Sequence, residues 1–178
     1  MSDRFFVVTG GPGSGKTTLI EALVRAGFAG SVEAGRRVIQ DEVASGGTAL
    51  PWIDPARFAE RMLEHERRSY AEAGTRSGPV FFDRGLPDLV GYMTLSGLPV
   101  PASLDALCRS HRYASRVFVA PPWAGIYAND AERKQSFEEA VRTHDVMAAT
   151  YPAYGYELVE LPRAPVEVRV RFLLAQTA

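Results

Sequence analysis

Eight consecutive residues, Gly10-Gly11-Pro12-Gly13-Ser14-Gly15-Lys16-Thr17, satisfy the phosphate-loop pattern G-x-x-x-x-G-K-[ST] in full. The chemistry needs that layout. Glycines let backbone N–H groups turn toward phosphate oxygens, and the N-terminus of a following helix adds its positive dipole end. The spacing predicts that Lys16 reaches the β- and γ-phosphates and that the Thr17 hydroxyl ligates Mg²⁺. Gly11, Pro12, Gly13, Ser14, Gly15 and Thr18 complete the expected cradle. Composition adds weight to Lys16. Only Lys16 and Lys134 are lysines, and the other 18 basic residues are arginines, so a compact ammonium is kept where it matters. The expectation is a nucleoside triphosphate site, with ATP and Mg²⁺ as the ligands.

A second acidic position completes the pattern. Asp83 follows the apolar run Val80-Phe81-Phe82, where a strand would end and where ligands bind in an open parallel sheet. It is expected to hold Mg²⁺ or to accept a proton from the attacking group. The blander alternative is a cap on the helix that begins near Pro87. Asp83-Arg84-Gly85 resembles the Asp-Arg element of thymidylate and deoxynucleoside kinases, which implies that Arg84 lies near the acceptor and the phosphates.

Three further segments extend the candidate site. Glu33-Ala34-Gly35-Arg36-Arg37 occupies the stretch that faces the acceptor in small P-loop kinases, and Glu33 is a candidate general base. Arg133 and Lys134 lie in a polar segment placed like a lid, where cations would close over the transferring phosphate. Arg163 lies in the loop that commonly touches adenine. Asp41 and Glu42 read as surface residues, and Trp52 as packing, with a wall of the acceptor pocket as its alternative. His65 and His111 read as surface residues too, and the three histidines have no metal-ligand spacing.

Alternating elements must position these groups. Phe5–Thr9 reads as the first strand, followed by a helix over 16–26 that closes at Gly27. Val32-Glu33 is expected to be a short second strand, with a helix over 37–45. Asp54 and Pro55 open a long helix to about Ala73. Strands follow at 79–83, 117–120 and 156–161, with helices near 87–95, 102–112, up to 150, and 165–175. Strands apolar on both faces and separated by helices imply an α/β fold, an open doubly wound parallel five-stranded sheet covered on both sides. The 178 residues fit one domain spanning 1–178.

Composition narrows the rest. Twenty basic residues against 21 acidic ones leave a net charge of −1, which gives no support to a nucleic-acid coat or a polybasic membrane binder. The single cysteine, Cys108, excludes an intramolecular disulfide and a cysteine-based zinc site. No run approaches the ~20 apolar residues of a membrane span. A cytoplasmic location is expected.

Residues 10–18, 33–37, 81–88, 130–135 and 155–163 together resemble the predicted-ATPase family whose AAA-type domain is related to the kinase domain of NadR, the nicotinamide riboside kinase. The resemblance spans nearly the whole chain. It implies ATP and Mg²⁺ binding and a kinase-like core, and it leaves the acceptor unnamed. The expected activity is transfer of the γ-phosphoryl group of ATP to a small-molecule hydroxyl or phosphate. The alternative is an ATP-hydrolysing switch acting on a protein partner.

Overall fold

A computed structural model describes residues 3–127 and 136–177. Five parallel strands, β1 (Phe5–Gly10), β2 (Ala29–Gly30), β3 (Val80–Asp83), β4 (Arg116–Ala120) and β5 (Glu157–Glu160), form one sheet in the order β2-β3-β1-β4-β5. Among the described residues seven helices connect and follow them. They are α1 (Lys16–Arg25), α2 (Ala34–Ser45), α3 (Pro55–Gly74), α4 (Leu86–Leu95), α5 (Ala102–Ser110), α6 (Phe137–Ala153) and α7 (Val166–Thr177).

Period-2 alternation along the central strands feeds two cores. Phe5, Val7, Val80 and Phe82 point to one face, where they meet Val38, Phe58, Leu86 and Tyr151 from the helices. Phe6, Val8, Phe81 and Phe118 point to the other, against Leu19 and Leu23 of α1 and Leu173 of α7. Both faces of β1 and β3 are therefore buried, as continuous apolar runs require. This is the doubly wound α/β fold of the P-loop NTPases. The chain leaves β1 to build β2 and β3 on one side and crosses to β4 and β5 on the other. The sheet's topological switch point thus falls at β1, whose C-terminal end carries the phosphate loop.

Two boundaries differ from the sequence reading. The second strand is Ala29–Gly30, paired with Val80 and Phe81, and not Val32-Glu33. Gly30 runs so close to α1 that an added Cβ would strike Val24 and Ile20, and Phe28 packs edge-on against Phe81. Val32 is exposed, and Glu33 serves instead as the N-cap residue of α2. That helix begins at Ala34, three residues before the sequence expectation. At the other end, Ser136 and Glu139 form a reciprocal capping box that fixes the start of α6.

Candidate functional site

The loop between β1 and α1 is built by its glycines and by the lysine it carries. Gly15 takes a left-handed φ of 78° as the chain enters α1, a conformation costly for any residue with a Cβ. Gly11 lies against the Ala140 carbonyl of α6, in space a Cβ would fill. Lys16 Nζ donates to the Gly11 carbonyl at 2.6 Å and to Ser14 Oγ at 3.3 Å. Ser14 Oγ in turn donates to the Gly11 carbonyl at 2.8 Å. The buried ammonium is thus held across the mouth of the loop, where phosphate oxygens would be cradled.

Thr17 and Asp83 meet beside it. Thr17 Oγ1 donates to Asp83 Oδ2 at 2.8 Å, and Asp83 Oδ1 is buried without a hydrogen-bond partner. Burial first, and the Glu33 carboxylate second, push the Asp83 carboxyl upward, against the pull of Lys16 and Arg84. The Thr17 hydroxyl and the Asp83 carboxylate, whose Oδ1 is unpartnered, form a hard-oxygen donor pair. It suits Mg²⁺, which binds through one or two protein oxygens and completes its shell with phosphate and water. Among the described residues no group of three His, Cys, Asp or Glu could hold a metal.

Beyond Asp83 the backbone itself is strained. Arg84 has a φ of 74°, a left-handed conformation that costs a non-glycine residue roughly 1–2 kcal/mol. Two carboxylates over-determine it. Arg84 Nε donates to Glu33 Oε1 at 3.0 Å and Nη1 to Asp88 Oδ1 at 2.9 Å. Burial opposes the charge, but Glu33, Asp88 and Asp83 keep the guanidinium firmly protonated. Asp88 is the hub of the network, since it also accepts from Thr9 Oγ1 at 2.6 Å, Tyr151 OH at 2.6 Å and Gly85 N–H at 3.0 Å. Strand β1, the β3–α4 turn and α6 are tied together through one carboxylate.

Two cavities flank the loop. One, of about 520 Å³, runs along Gly13–Thr18 and is walled by Trp123, Tyr127, Pro165 and Arg169. The other, of about 570 Å³, lies between α2, α3, α4 and α6 and is lined mainly by apolar side chains, with Arg84 and Asp88 in its wall. Pro12 and Glu33 line both cavities. The first is a cleft for a polyanion with a flat apolar group. The second could enclose a small polar molecule.

The structure brings Lys16, Thr17, Asp83, Arg84 and Glu33 together, along with Pro12, Gly13, Ser14, Gly15 and Thr18 of the loop. Arg163 stands apart: it is exposed, and its Nε donates to the Pro122 carbonyl at 3.2 Å. Its neighbours Ala164 and Pro165 line the nucleotide-side cleft in its place. Arg133 and Lys134 lie outside the described residues. Trp52 is 60% exposed and lines the second cavity, so it is not a packing residue. Glu42 is not a plain surface group either, because it accepts from Ala49 N–H at 2.9 Å and faces Arg61.

Three functional candidates escaped the sequence reading. Asp88 carried a signal in its i,i+4 spacing from Arg84. Glu66 carried another, as a carboxyl on the buried stripe Phe58, Met62, Glu66 of α3. Arg169 gave none: it is buried, and its Nη1 donates to the Ser14 carbonyl at 2.9 Å across 155 positions of sequence.

Comparison with known proteins gives the family and agrees with the fold. The AAA domain family matches residues 5–169. A probable thymidylate kinase of Pyrobaculum calidifontis is 27% identical over 176 residues, covering 92% of this chain and 91% of its own. The deoxyadenosine kinase of M. mycoides with dCMP and dCDP superposes with a TM-score of 0.67 at 12% identity, covering 97% of each chain. The NadR protein in complex with NR superposes with a TM-score of 0.70 at 20% identity, covering 97% of this chain and 50% of that one. The chain belongs to the AAA domain family, whose model spans nearly all of it.

Proposed function

We propose that this chain is an ATP-dependent phosphotransferase that moves the γ-phosphoryl group of ATP onto a small molecule held between α2, α3, α4 and α6. One observation carries the reading: the phosphate-loop cleft and the second cavity meet at Pro12 and Glu33. A donor and an acceptor could approach in line there, which is most of what phosphoryl transfer asks of a protein. The related thymidylate and deoxyadenosine kinases support the same class of reaction.

Each residue then has a role. Lys16 and the loop N–H groups bind the β- and γ-phosphates, and Arg169 braces the loop through Ser14. Thr17 and Asp83 would hold Mg²⁺, which when bound draws the phosphate oxygens together and offsets their charge. Glu33, at the border of the two cavities, takes the proton from the acceptor hydroxyl at a carboxylate oxygen. Arg84, fixed by Glu33 and Asp88, keeps that carboxylate in place and lends positive charge to the transferring group. Arg133 and Lys134 are the further candidates for offsetting the charge of the transferring group.

A hydrolysing switch does not require a second cavity beside the phosphates, so its presence favours transfer. The test is ADP release from ATP, with and without a panel of nucleosides, sugars and their monophosphates. Release that depends on one acceptor class is expected. Equal release with and without every acceptor would leave a hydrolase and overturn the reading.

A further inference from the structure

We propose that Glu66 is the acceptor-recognition residue of the second cavity, and that the cavity selects an acceptor without a phosphate of its own. This rests on the phosphotransferase reading above and narrows its substrate class.

The first observation is a side chain out of place. Phe58, Met62 and Glu66 are spaced by four on the buried stripe of α3, where packing alone would put an apolar residue. Glu66 is only 6% exposed, yet its carboxyl takes part in no hydrogen bond or ion pair among the described residues. It lines the second cavity beside Phe58, Met62, Leu89 and Tyr92. A carboxyl at so enclosed a position without a hydrogen bond is uncommon in native structures, and what surface it keeps faces the cavity. Here the cavity itself is the place where a partner would come from.

The second observation is the charge of the wall. Glu33, Glu66, Asp88 and Glu139 line this cavity against Arg84 and Arg142. Arg84 is already bound by Glu33 and Asp88, and Arg142 is exposed. Even with Glu66 uncharged, Glu33, Asp88 and Glu139 outnumber the two guanidinium groups of the described wall, an arrangement that disfavours a phosphate dianion. Burial pushes the Glu66 carboxyl up to about 8, with Asp88, Asp83 and Glu33 adding to the rise and Arg84 opposing it. Tyr113 and Tyr151 sit in the same field. At neutral pH Glu66 thus presents a donor O–H and an acceptor carbonyl, which fits an amide-like or hydroxyl edge of an uncharged molecule. Phe58, Met62 and Tyr92 cover its apolar body.

The related proteins make the choice concrete, since one is a thymidylate kinase and another a deoxyadenosine kinase. The experiment compares wild type, Glu66→Gln and Glu66→Met. Each is assayed for ATP-dependent phosphorylation of thymidine, deoxyadenosine and free sugars, every one paired with its monophosphate. Thermal unfolding without ligand is measured alongside, and an ATP-induced rise in Tm reports an intact nucleotide site. The expected result is that unphosphorylated acceptors are preferred. Glu66→Gln should keep KM within about threefold, and Glu66→Met should raise it about tenfold or more with a smaller change in kcat. Both variants should unfold at or above the wild-type Tm, because the group they replace is held for a ligand and not for the fold. Preference for monophosphates, or an unchanged KM in Glu66→Met, overturns the inference and leaves the phosphotransferase reading standing. A lower Tm in Glu66→Gln makes Glu66 structural and overturns it as well. Acceptor-independent ADP release in the wild type overturns both.

Discussion

Replacing Asp88 by Asn should destabilise the fold through four hydrogen bonds at once. Asp88 is 5% exposed. Its Oδ1 accepts from Thr9 and Arg84, and its Oδ2 from Tyr151 and Gly85. An asparagine offers one oxygen and one NH2, so either orientation turns the NH2 toward one hydroxyl, which can reverse and accept, and toward one obligate donor, Arg84 or the Gly85 N–H, which loses its partner. One hydrogen bond to a charged acceptor is lost outright, at roughly 1.5–3 kcal/mol, and the other three lose their charge assistance, at about 1 kcal/mol each. Removing a buried charge returns part of this, for a net cost of about 3 kcal/mol. With a urea m-value of about 2 kcal/mol/M, the unfolding midpoint should fall by about 1.5 M. Equilibrium urea unfolding followed by circular dichroism reads this directly. Tyr151→Phe combined with Asp88→Asn should cost less than the sum of the two, because they share a bond. An unchanged midpoint in Asp88→Asn, or strict additivity with Tyr151→Phe, would refute the hub.

Lys16→Ala should weaken ATP binding by about one to two decades in calorimetry, as loss of a charge-assisted contact worth roughly 1.5–3 kcal/mol implies. Asp83→Asn should reduce phosphoryl transfer by about 10²-fold or more and shrink the gain in ATP affinity that Mg²⁺ brings. The same gain in both proteins would reduce Asp83 to a partner of Thr17. The raised carboxyl of Glu66 also makes a pH prediction. Between its ordinary value of 4.5 and about 8, the folded chain binds more protons than the unfolded one. Stability from this group is therefore complete below the lower value and declines as pH rises to the upper, by at most about 1.4 kcal/mol per unit. Urea midpoints measured across that window should decline less steeply in Glu66→Gln than in wild type.

Local chemistry was legible in the sequence, and long-range convergence was not. The phosphate loop could be read because its residues are consecutive and its geometry is made by its own backbone. Asp83 could be read because three apolar neighbours mark the end of a buried strand. The two-residue strand β2 could not, since so short an edge element has almost no alternation to read, and the β-branched Val32 nearby is exposed. Glu66 and Asp88 lie on helices whose patterns look ordinary, and their importance comes from a cavity and a network assembled from distant segments. Arg169 reaches the loop only because α7 packs on α1. The direction of Arg163 could not be read for a related reason, because sequence locates a loop but not where its side chains turn.

Transfer of label from γ-labelled ATP tests the central claim most directly. The wild-type chain, Mg²⁺ and the acceptor panel are incubated together, and the products are separated by chromatography. The two-cavity account predicts label on one class of acceptor, with little released as free phosphate, and loss of that product in Asp83→Asn. Label appearing only as inorganic phosphate, at the same rate whatever acceptor is present, would contradict it.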